Sequence, residues 1–349
     1  MISLGLPQPR SALAAGVLCC GVALAVAVVA DALVGWLAAF AFWSSVPVGS
    51  LCLVLIMRIV PGAWRSELEG YGDASLFLLP IAAGAAAPVL VGYAGIYSWA
   101  TERGVGFRGF YLTGWSFWLR TAFFFITSGI AAAMLLGRRG RPTAIAAAGL
   151  VAFVLLDTTV AVDWLMSLEP DFHSSGFGLY ILSIQATVAL SALILAHLAL
   201  APPREATGVL GGLLLTALLL WAYFAFMQYF ISWSGDLIPN VRWYMRRGQG
   251  GWGLAEYAIG TLGLLPALLL LFPPIRRSRR WLLPLGLAVL LGKAIEFGWL
   301  VLPVVPASAP VFAVAVLGHA GLGLVSAAVF LRACRRRGAP GYAERPAQP

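Results

Sequence analysis

Apolar residues run through this chain in stretches of twenty or more, broken by short connections rich in Arg, Pro, Gly or aromatic side chains. Ten such stretches stand out, at 11–31, 34–60, 74–97, 114–136, 143–165, 176–200, 207–233, 251–272, 281–302 and 308–331. Each is long enough to cross a hydrocarbon layer about 30 Å thick at about 1.5 Å per residue. None alternates with the two-residue rhythm of a barrel strand, so each predicts a helix whose backbone hydrogen bonds close within the segment. The pattern predicts an all-α polytopic membrane protein of about ten transmembrane helices. With the first and last stretches set aside as peripheral, the other eight form two four-helix bundles. Residues 1–337 read as one transmembrane domain, and 338–349, with Gly338, Pro340, Pro346 and Pro349, as a disordered cytoplasmic tail.

Composition removes the soluble alternative. The chain is 61% hydrophobic and 11% charged, against about 25% charged in typical globular domains. The net charge of +9 comes mostly from arginines split among short loops, which speaks for topology and anionic lipid headgroups, not for a nucleic-acid face. With a cytoplasmic N-terminus, Arg10, Arg58, Arg65, Arg138, Arg139, Arg141, Arg204, the four between Arg276 and Arg280, and the cluster from Arg332 to Arg337 with Arg345 all lie inside. Only Arg103, Arg108, Arg120, Arg242, Arg246 and Arg247 fall on or near the other side. The positive-inside bias therefore puts both termini in the cytoplasm, in a multi-pass protein of the cytoplasmic (inner) membrane. The first apolar run spans, with no clean cleavage site behind it, so no signal peptide is expected.

The four cysteines are scattered and form neither a haem-attachment site nor an iron–sulfur spacing, so no covalently bound cofactor is expected. His173, His197 and His319 are isolated, and no metal site is expected from them.

Carboxylates inside apolar helices carry the chemical interest. An ionised Asp in hydrocarbon costs roughly 2.5–3.5 kcal/mol on insertion scales, so it keeps a polar partner or a wet path. Asp157 falls mid-span, and Asp163 lies six residues on, about 9 Å nearer the outer surface and on another helix face. They suit two steps of a proton relay through water or hydroxyls such as Thr158, Thr159 and Ser167, or else each bonds a neighbouring helix. Lys293 and Glu296 are spaced i, i+3 in the ninth run, where they can pair or form a second proton site. Glu256, near the outer end of the eighth run, and His319, mid-span in the tenth, complete the proton-pathway candidates. Trp221, Tyr223, Phe224, Phe226, Tyr229, Phe230 and Trp233 suggest an interfacial belt and packing, or a flat quinone pocket. Gln228 among them, and His173 in the preceding loop, are the candidate quinone contacts.

Three segments carry a family resemblance: VDWLMSLEP at 162–170 with the Ser-Ser-Gly-Phe-Gly-Leu-Tyr run from Ser174, WAYFAFMQYFISW at 221–233, and PNVRWYMRR at 239–247. In these the chain resembles the ActF-type subunits of alternative complex III, within the wider NrfD-like (polysulfide reductase) membrane family. The likeness covers roughly the second to ninth helices. It implies a ten-helix subunit of a quinol:electron-acceptor (cytochrome c) oxidoreductase, not catalytic alone. Haem and iron–sulfur centres would sit in partners, a multihaem cytochrome and an iron–sulfur subunit, beside an NrfD-like sister subunit that oxidises quinol or menaquinol. For this chain it implies scaffold and a proton route. Two outer positions depart from the pattern. Asp171 and Phe172 stand where a His and an aromatic usually follow Glu-Pro, with His delayed to 173, and Asn240-Val241 stand where an acidic pair is usual. Two other readings stay open, a quinol-binding NrfD-type anchor and a secondary transporter, although Pro47, Pro80 and Pro88 find no convincing match in Pro266 and Pro284.

Overall fold

A computed structural model describes residues 9–102, 104–137, 143–201 and 207–338. Its regular structure is helical, and ten helices are long and apolar enough to cross a membrane: Arg10–Val29, Leu33–Ile59, Ala63–Val91, Gly114–Gly137, Thr143–Leu168, Phe177–Leu200, Thr207–Ser234, Gly250–Leu270, Arg279–Val304 and Ala309–Arg337. They are called here the first to tenth spans. The residues read as a disordered tail lie, beyond Gly338, outside the described residues, as do Arg103, Arg138, Arg139, Arg141, Arg204 and Arg345.

The burial of each span sets its place. The second is 89% buried, the sixth 67% and the ninth 61%, whereas the first, fourth, fifth and eighth lie between 22% and 28%. Three helices therefore form the spine, and the others wrap it with one face left for lipid. Spans two to five pack as one four-helix group and six to nine as another, joined where the second helix runs against the sixth and ninth. The first span pairs with the tenth, and the tenth lies against the second and third.

The seam between the groups depends on a missing side chain. A Cβ on Gly49 would stand 2.2 Å from the Gln185 carbonyl oxygen of the sixth span, so backbone meets backbone there. Close approach of this kind is how membrane helices gain contact without a hydrophobic drive between them. On the facing bundle the sixth span buries Tyr180, Ser183, Thr187 and Ser191. Ser183 and Thr187 return their hydroxyls to the carbonyls of Tyr180 and Ser183 at 2.6 and 2.7 Å.

The third span differs from its expected start. It begins at Ala63, eleven residues before position 74, because the polar stretch before Ser75 is helical and its acids are partnered. Arg58 pairs with Glu69 and, at 3.3 Å, with Asp73. Arg65 reaches Glu69 at 2.9 Å, and Glu67 faces His197 at 3.5 Å. Matched charges let polar helix continue below an apolar one. Pro80 follows a 3-10 turn, Leu76–Leu78, at the point where the apolar half resumes.

On the face carrying the connections 98–113, 166–175 and 234–250, here the aromatic face, short helices cover the spans. The longest is the surface helix Ile238–Arg247.

Candidate functional site

At the aromatic face the fifth span ends in a 3-10 turn, Met166–Leu168, and the chain then carries Glu169 beneath the surface helix. Pro239 suits that helix's first turn, where an N–H has no partner to lose, and Arg246 and Arg247 suit its last. Arg246 bonds Glu169 at 2.8 Å. Arg247 Nη1 lies 2.6 Å from the other carboxylate oxygen, completing the ion pair. Arg247 is 1% exposed, stacks 3.8 Å from the Trp243 ring centre, and donates to the carbonyls of Trp299 and Leu300 at 3.2 and 2.9 Å. Burial pulls its pKa down to about 10, with Glu169 opposing, so it stays charged at neutral pH.

Asn240 of the surface helix meets the loop that follows Glu169 at His173. Asn240 donates Nδ2–H to the His173 carbonyl at 2.7 Å and accepts from the His173 N–H at 3.2 Å. Phe172 stacks on Trp243 at 4.5 Å. Ser174, next in the chain, donates to Gln228 Oε1 at 3.4 Å, and the Tyr244 phenol, its pKa pushed up by burial, faces the same amide.

Deeper in, Lys293 and Glu296 form the expected pair at 2.7 Å, both 1% exposed. The second oxygen of Glu296 accepts from Trp221 Nε1 at 2.8 Å and from the Tyr180 hydroxyl. Lys293 Nζ lies 3.1 Å from the centre of the Trp221 ring. Three donors on one carboxylate, one of them the Lys293 cation, leave neither charge uncompensated in the membrane core. The cluster ties the sixth, seventh and ninth spans together. Trp221 thus belongs to a charged centre, while Tyr223, Phe226, Tyr229, Phe230 and Trp233 of the same stretch stay exposed to lipid.

The two aspartates of the fifth span have different fates. Asp163 is clamped by Arg120 of the fourth span through Nε at 2.6 Å and Nη2 at 3.0 Å. Arg120 also donates to Ser116 and to the Tyr111 carbonyl and lies 3.8 Å from the Tyr111 ring centre. Asp157 is completely buried, and neither of its oxygens has a hydrogen-bond partner among the described residues. Its polar neighbour is Gln185 of the sixth span, whose own Oε1 is also unpartnered, and the Cys52 thiol lies nearby. The hydroxyls expected to join the aspartates do not do so. Thr159 bonds the Leu155 carbonyl at 3.0 Å, Ser167 bonds the Asp163 carbonyl at 2.6 Å, and Thr158 packs against Gly178.

Glu256 and His319 stand apart from the Lys293–Glu296 cluster. Glu256 is exposed at the aromatic end of the eighth span. His319 places Nδ1 2.8 Å from the Ala315 carbonyl on its own helix and its ring 5.5 Å from Phe42. The two candidate quinone contacts, Gln228 and His173, lie in different settings. Gln228 is buried against Ser174, His173 is exposed with Nδ1 2.9 Å from the Asp171 carbonyl, and neither lines the groove of about 460 Å³ at this face.

No family model matches the chain, and comparison with curated proteins finds no significant match.

Proposed function

We propose that this chain is an integral membrane subunit of a quinol:electron-acceptor oxidoreductase of the alternative complex III kind, contributing scaffold and a proton step, with the redox centres in partner chains. The supporting observation is a convergence. The motifs that carry the resemblance lie far apart in sequence, yet Glu169 of the first pairs with Arg246 and Arg247 of the last. Trp221 of the middle motif and Tyr180, ending the Gly-Phe-Gly-Leu-Tyr run, meet on Glu296.

Within that reading the buried acids divide the work. Asp163 and Glu296 are saturated by fixed partners and serve the scaffold. Asp157 has no ion pair among the described residues and faces a single amide, Gln185, so it can gain or release a proton without breaking a salt bridge. No chemistry of quinol is assigned to this chain, because Gln228 is engaged by Ser174 and the His173 backbone by Asn240.

The test is purification from the native membrane in mild detergent, followed by haem spectroscopy and identification of co-purifying chains. Multihaem and iron–sulfur partners are the expected result, and a chain purified alone from respiring cells would end the proposal. In the intact complex, Asp157→Asn should abolish proton uptake coupled to turnover. Unchanged coupling removes Asp157 from the pathway.

A further inference from the structure

The eighth span leaves one face uncovered, with Leu254 72% and Tyr257 78% exposed. Along it runs the groove of about 460 Å³, lined by Gly248, Gly253, Glu256, Tyr257, Gly260 and Thr261. Gly253 and Gly260 are two turns apart and so share a side of the helix, Gly253 lying buried under the Gly248 carbonyl at the upper end and Gly260 open below it. Around Gly260 a Cβ would meet no atom within 4 Å, which leaves the floor of the groove low and open.

Glu256 makes this face unlike an ordinary lipid-facing surface. The span is 21 residues long, about as long as a hydrocarbon layer is thick, and Glu256 sits six residues inside it, about 9 Å below its end. Among the described residues no cation pairs with it and no side chain bonds it. A carboxylate on a lipid-facing side at that depth needs a cation or donor from elsewhere. Headgroup amines lie above it, whereas a neighbouring helix can deliver Lys or Arg to that depth, and glycine floors admit helices closely.

We infer that this groove seats a transmembrane helix of another polypeptide, which lays its backbone over Gly260 and presents a basic side chain to Glu256. The inference goes beyond the proposed function and does not use it.

The experiment places the photoreactive residue benzoyl-phenylalanine at position 257 of the full chain in its native membrane. Illumination should give an adduct to a different polypeptide, and mass spectrometry should map it to a membrane-spanning helix bearing Lys or Arg. Glu256→Gln should lower the adduct yield on the order of threefold to tenfold. Gly260→Phe, which fills the groove, should abolish it. Gly129→Phe, at a fourth-span glycine whose Cβ position is also open, should leave it intact. Adducts confined to lipid, to quinone or to a second copy of this chain overturn the inference, as does a yield indifferent to both Glu256→Gln and Gly260→Phe. A mapped partner helix from a protein without haem or cluster-bearing associates upholds the groove and sinks the respiratory assignment. Lipid-only adducts in a haem-bearing complex do the reverse.

Discussion

Asn240 grips the peptide group of His173 from both sides, taking its N–H and supplying an N–H to its carbonyl, across 67 residues of sequence. The contact is between a side chain and a backbone, so the imidazole is not part of it. Asn240→Ala should therefore cost about 1–2 kcal/mol, the net worth of two hydrogen bonds to part-buried backbone groups. His173→Ala should cost under about 0.5 kcal/mol, as an exposed substitution does. Thermal unfolding in detergent, together with protease nicking at 171–175, checks the contrast; equal losses for both variants would contradict it.

The Lys293–Glu296 centre predicts a non-additive pair. Lys293→Met alone, or Glu296→Gln alone, strands the remaining partner in the membrane core and should cost about 3–5 kcal/mol. The double variant should recover much of that, because replacing both members of a buried pair is often nearly neutral. Recovery of monodisperse protein after solubilisation, compared across the three variants, measures it.

Asp157 and Asp163 should part company on the same assay. Asp163→Asn and Arg120→Gln each break a clamp made of two charge-assisted bonds and should lower the melting temperature clearly. Asp157→Asn breaks no ion pair among the described residues and keeps an amide facing Gln185, so it should cost less than about 1 kcal/mol. A large loss for Asp157→Asn would show that its oxygens are structurally committed.

At the seam of the two bundles, Gly49→Leu should be among the most damaging single changes. Its Cβ would fall 2.2 Å from the Gln185 carbonyl, and overpacking of this kind costs about 1–3 kcal/mol or more. Gly84→Leu, where a Cβ meets nothing within 4 Å, is the matched control and should keep its yield in the membrane.

The spans were legible because each carries its own signal, length and apolarity, and nine of the ten begin within two residues of the expected position. The third did not, since Glu67, Glu69 and Asp73 look like a loop until Arg58, Arg65 and His197 are placed beside them. The same limit governed the site. Lys293 and Glu296 were readable as a pair because helical spacing brings i and i+3 together. Tyr180 and Trp221 were not, because they reach Glu296 across 116 and 75 residues. Asp163 gave no local hint of Arg120, which lies 43 residues away on a different helix. Glu169, Arg246 and Arg247 did leave a trace, since they stand in the segments that carry the family resemblance, but their pairing is visible only in tertiary contact.

Arg247 closes the end of the ninth span by satisfying two carbonyls that the helix itself cannot. The same helix holds Lys293 and Glu296 two to three turns from that end, so a rod capped by a buried arginine of the surface helix has the charged centre built into its shaft. Prising the outer helix loose would unplug that rod first, and strain imposed on the exterior would be delivered to the interior as an axial shift.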